Sequence, residues 1–140
     1  MISVLADGEE RHRLEDVEGR SIGWIRQKAV GFRGFPTERD AMRAAVDAWG
    51  ALQRVLQREY AGWPRHEPAL DRLRLVHDGA YEWISDGARP LARLHRPKPA
   101  SSSDTFAIEL VLPSFATEGV AVSAAQVIAH ALDGHAAAAA

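Results

Sequence analysis

The chain has 140 residues, a formal net charge of −2 and no cysteine. That length suits one domain, because halves of it would each be marginal alone, and the missing cysteine excludes disulfides and thiolate chemistry. A near-neutral balance gives the molecule as a whole no electrostatic pull on nucleic acid.

The start, MISVLADGEE, has too short an apolar run and too early a cluster of acids for a signal peptide. No apolar run reaches the length that spans a bilayer. The expectation is a cytosolic protein without membrane contact.

In chain order, Ile2, Val4 and the segment 11–17 offer an optional first strand amid solvated charge. The segment 20–26 and the segment 29–35 both read as strands, and the short link between them predicts an antiparallel hairpin. The glycines of VGFRGF suggest a bulge or close packing within that second strand.

A long helix is predicted over 37–61. Thr37 can cap its free amides, with Asp40 three residues on. Glu38 and Asp40 suit the positive end of the dipole. Met42, Ala45, Trp49, Leu52 and Leu56 recur at helical spacing, so they share one face. Gly62 and Pro64 read as the stop.

Residues 63–71 are a Pro-containing connector, packed down by Trp63. Asp78-Gly79 and Asp86-Gly87 then suit two-residue turns, giving a three-stranded meander over 72–96. With both loops two residues long, Val76, Tyr81, Trp83, Ala92 and Leu94 share a core face. Leu73, Leu75, Ile84 and Leu91 share the other with His77, Glu82, Arg89, Arg93 and His95.

A polar loop, 97–104, precedes a cleanly alternating strand from Thr105 to Leu112. Ser123 with Gln126 reads as a second capping box opening a short helix that stops at Gly134. Residues 135–140 form a tail.

These elements predict the α+β class, with antiparallel sheet(s) and two helices. The pattern suggests duplication of a β-β-(β)-α unit, once over 1–62 and once over 72–134, around one core.

Chemistry-bearing motifs are sparse. The histidines make no zinc spacing, and no phosphate-cradling or nucleophile-elbow motif occurs. Ser101 to Ser103 have no histidine near in sequence. No cofactor, metal or catalytic residue is therefore expected; an enzyme would need His77, Glu82 and His95 to converge.

One stretch stands out. From Arg20 to Arg33 the chain carries Arg20, Arg26, Lys28 and Arg33 and no acid, with Trp24 among them. Arginines interleaved with aromatics on a sheet can neutralise phosphates and stack on bases. On the hairpin, alternation puts Arg20, Ile22, Trp24, Arg26, Arg33 and Phe35 on one face.

Locally the stretch resembles the AP2/ERF type of DNA-binding domain, at Trp24-Ile25-Arg26, Phe35, Thr37, Asp40-Ala41 and Arg43-Ala44. It lacks that family's basic first strand and has Arg33 at a glycine position. The same strand-to-helix junction is similar to that of HicB-type antitoxins, so it speaks for capping more than ancestry.

The expectation is a non-enzymatic binding module that contacts nucleic acid through Arg20, Trp24, Arg26, Lys28 and Arg33. The alternative is homodimerisation through Leu73, Leu75, Ile84 and Leu91, with exposed strand edges contributing.

Overall fold

The computed structural model describes residues 2–6, 11–97 and 105–133. The strands are β1 (Ser3–Ala6), β2 (Arg11–Glu15), β3 (Ser21–Arg26), β4 (Ala29–Phe35), β5 (Arg74–Asp78), β6 (Tyr81–Ser85), β7 (Pro90–His95) and β8 (Phe106–Val111). Helix α1 (Glu38–Glu59) follows β4, and α2 (Glu118–Ala131) follows β8. The class is α+β, as the periodicities predict.

All pairings are antiparallel within one eight-stranded sheet, ordered β1-β2-β3-β4-β8-β7-β6-β5. The two halves join edge to edge through β4 and β8. Four strands and then a helix occur twice along the chain; this recurrence of element order is not by itself a duplication.

Both helices cover one face of the sheet. The core joins Leu14, Ile25, Val30, Phe32, Ile84, Leu94, Ile108 and Leu110 of the strands to Leu52, Val55, Leu56 and Ile128 of the helices. Helices α1 and α2 pack on each other, and both bury alanines: Ala41, Ala44, Ala45 and Ala48 on one, Ala121, Ala124 and Ala125 on the other. Side chains this small let two helices approach closely while both remain on the sheet.

Thr37 caps α1 as expected, its Oγ1 accepting from the Asp40 amide at 3.1 Å. Trp63 ties the connector down by donating from Nε1 to Gln53 Oε1 at 3.1 Å. Helix α2, however, starts at Glu118 under Thr117, whose Oγ1 accepts from the Val120 amide at 3.2 Å. Ser123 is therefore not a cap: it lies inside the helix and accepts from Arg58 at 3.1 Å. Thr117 with Glu118 carries the same capping chemistry and comes first in the chain.

The β3–β4 hairpin has the short link expected, Arg26 pairing with Ala29. A register shift between Arg33 and Phe35, with Gly34 at φ 104, turns Phe35 to the helix side. Ile22 is skipped by the β2–β3 register and packs against the core. Neither side chain therefore joins Trp24 on its face.

In the meander, Asp78 pairs with Tyr81, so Gly79 and Ala80 form the first turn; the shift is even and the side chains of β5 and β6 group as predicted. The face expected to be core, with Val76, Tyr81 and Trp83, is however the helix-free one, and the helices cover the face of Leu75 and Ile84 instead. The second loop is longer than two residues. Ser85 pairs with Pro90 and Glu82 with Leu94 across a bulge. An odd shift exchanges every side chain between faces. Ala92 and Leu94 thus join Ile84 under the helices, while Arg93 and His95 join Val76, Tyr81 and Trp83 on the helix-free face.

Two of the residues expected to self-associate are not at the surface. Ile84 is wholly buried under the helices and Leu91 is 2% exposed, so neither offers surface; Leu75 packs on the core and Leu73 is half-buried. Most of the loop 97–104, with Ser101 to Ser103, lies outside the described residues, as does the tail 135–140.

Candidate functional site

The helix-free face is built on a row of directly opposed residues. Crossing from β1 to β5, it reads Leu5, Arg13, Trp24, Gly31, Glu109, Arg93, Trp83 and Val76. Antiparallel pairing makes these positions neighbours although they are scattered along the chain.

At the centre of the row sits Glu109, 7% exposed. Trp24 donates from Nε1 to Glu109 Oε2 at 2.8 Å. Arg93 donates from Nη1 to Oε1 at 3.3 Å, and His95 Nε2 lies 3.3 Å from the same oxygen. Burial opposes the charge on this carboxylate. Hydrogen bonds with His95 and Trp24, and electrostatic attraction to His95 and Arg93, nevertheless hold its pKa down to about 2. Glu109 therefore anchors the row as an anion at neutral pH.

Small residues make the arrangement possible. The indole of Trp24 lies across Gly31: a Cβ there would meet Trp24 Cε2 at 2.1 Å. From that position the ring reaches Glu109, and its centroid lies 5.9 Å from that of His95 in an edge-on contact.

Each tryptophan of the row carries a guanidinium. Arg33 stands 5.2 Å above the Trp24 ring and donates to Ser21 Oγ at 3.2 Å. Arg93 stands 5.1 Å from the Trp83 ring and 4.2 Å from that of Tyr81. Its buried Nε has no hydrogen-bond partner among the described residues.

The expected basic stretch is divided by the structure. Trp24 is half-buried on the helix-free face, with Arg26 and Arg33 exposed on the same side. Arg20 turns to acids instead, meeting Asp16 at 2.9 Å and Glu18 at 3.0 Å. Lys28 donates to the Ala116 carbonyl beside α2.

Residues outside that stretch enrich the face. Alternation along β2, β5 and β7 adds Arg11, Arg13, Arg74 and Arg93. Against these arginines stand Glu15, Glu109 and Asp78. Arg11 opposes Arg26 directly, a like-charge pair that is unfavourable without an anion between. Sequence reading missed Arg93 and Glu109 because their neighbours come from distant strands.

The three residues an enzyme would need do not converge. His77 and Glu82 pair at 3.5 Å on the helix side of the sheet edge, whereas His95 faces the opposite way toward Glu109. Among the described residues no group of His, Asp and Glu is placed to hold a metal. No helix among them is long and apolar enough to cross a membrane.

A second polar cluster ties loops together. His66 Nε2 lies 2.6 Å from Asp86 Oδ2, and Asp86 also accepts from the amides of Ala69, Ala88 and Arg89. Trp49 holds the connector from the other side, donating to the His66 carbonyl at 3.1 Å. This cluster fixes the connector to the β6–β7 loop.

Comparison with protein-family models, curated proteins and solved structures gives no match for this chain.

Proposed function

We propose that the protein is a non-enzymatic binding module whose helix-free sheet face takes up nucleic acid. The observation that carries this reading is charge segregation. A chain of net charge −2 gathers Arg11, Arg13, Arg26, Arg33, Arg74 and Arg93 on one sheet face against Glu15, Glu109 and Asp78, beside Trp24, Trp83 and Tyr81. Phosphate contacts supply most non-specific affinity for nucleic acid, and aromatic rings accept bases of any sequence. The absence of cysteine fits a cytosolic setting.

Fluorescence anisotropy of a labelled oligonucleotide at rising salt tests the reading. Affinity should fall steeply with salt, and Arg26→Ala should weaken binding while lowering the salt slope by about one. Absent or salt-independent binding would sink it.

A second reading is self-association through the same face. It is favoured by the exposed apolar side chains of Leu5, Val76, Tyr81 and Val111, all on the helix-free side. Light scattering at rising protein concentration separates the two readings: a monomer throughout removes the second.

A further inference from the structure

Resting on the nucleic-acid reading, we infer that the face accepts a single strand rather than a duplex, with bases stacking at Trp24 after Arg33 moves from the ring to a phosphate. Three observations lead there.

The first is shape. Eight strands at about 4.8 Å spacing give a face about 33 Å across. The major groove, about 12 Å wide, admits a helix or a two-stranded ribbon. Both helices here lie behind the sheet and pack on each other. A broad sheet reaches base edges only in a duplex that is bent open at a cost in deformation energy, while a single strand can lie across it.

The second is the state of Trp24. Its ring is fixed from below by Gly31 and at its edge by the bond to Glu109. A platform already held in place gives up little further freedom on binding. Bases in a duplex hide their faces against one another, so such a platform serves unstacked bases.

The third is the guanidinium above it. Arg33 is exposed, and from Nη1 it donates to Ser21 Oγ. A base arriving over the indole takes its place, and the arginine then reaches the phosphate of the same nucleotide. Arg93 is different: it is tied to Glu109 and held against Tyr81 and Trp83. Trp83 lies in the same row, four strand spacings from Trp24, or about 19 Å. A strand running across the sheet from Trp24 therefore passes over Glu109 toward the Arg93 cluster.

Anisotropy titrations with oligo-dT, oligo-U and a duplex of equal length test the inference. Either single strand should bind at least tenfold more tightly than the duplex, and Trp24→Ala should cost about tenfold for single strands with little change for the duplex. Circular dichroism checks that variant, and Trp24→Tyr, which keeps a ring, serves if it does not fold; it should retain most of the affinity. Arg33→Ala should lower the salt slope.

A duplex bound as tightly as the single strands, or single-strand binding indifferent to Trp24→Ala in a folded protein, overturns the inference and leaves the nucleic-acid reading standing. Failure of all three nucleic acids to bind removes both.

Discussion

Gly31 lies directly under the indole of Trp24, so close that a Cβ at position 31 would fall 2.1 Å from Cε2 and 2.2 Å from Cζ2. Gly31→Ala should therefore push the ring off the sheet and break the Trp24–Glu109 bond. Overpacking of this kind costs about 1–3 kcal/mol. Urea denaturation gives the cost, and tryptophan emission should shift to the red as the ring gains solvent.

Glu109 and Asp86 should make the protein acid-sensitive. Both carboxylates are held at about 2 in the folded state, from ordinary values of 4.5 and 3.8. For Asp86 burial again opposes the charge, and the His66 ring with the amides of Arg89, Ala69 and Ala88 overcomes it. A depressed folded pKa stabilises above the ordinary value and is lost as pH falls through the folded one. Stability should thus decline from about pH 4.5 down to pH 2. In Glu109→Gln the decline should be shallower and the protein weaker at pH 7, which denaturation at several pH values would show.

The latch between the connector and the β6–β7 loop should respond strongly to Asp86→Ala. That change leaves the Ala69, Ala88 and Arg89 amides without their acceptor in a site where Asp86 is 1% exposed. Breaking a buried charged network costs about 3 kcal/mol or more. Thermal denaturation should show the loss, and limited proteolysis should cut the connector first, near Arg65 or Arg72.

The two candidate caps of α2 make opposite predictions. Thr117→Ala should cost about 1 kcal/mol, the usual loss for an N-cap. Ser123→Ala removes one exposed contact to Arg58 and should stay within about 0.5 kcal/mol. Equal losses from the two would contradict the helix start at Glu118.

Much of the fold was legible in the sequence because local patterns wrote it. The Thr37 cap, the helical spacing of Ala45, Trp49, Leu52 and Leu56, and the alternation from Phe106 to Leu112 each need only neighbouring residues. The β6–β7 register was not legible in the same way. Asp86-Gly87 looks like a two-residue turn, yet Asp86 spends its carboxylate on His66 and Ala69 from the connector as well as on its own loop. That long-range capture accompanies a longer loop and a bulge, and an odd shift carries Arg93 and His95 to the other face.

The candidate site divides along the same line. The sequence by itself determined that Trp24 and its nearby arginines lie on a hairpin before a capped helix, because turns, caps and periodicity act over a few residues. Only the tertiary structure decided which face the helices cover. It also decided that β4 joins β8, and so that Trp24 meets Glu109, Arg93 and His95. Strand pairing across the chain is set by the burial of one shared core, and no local pattern encodes which distant residues become neighbours.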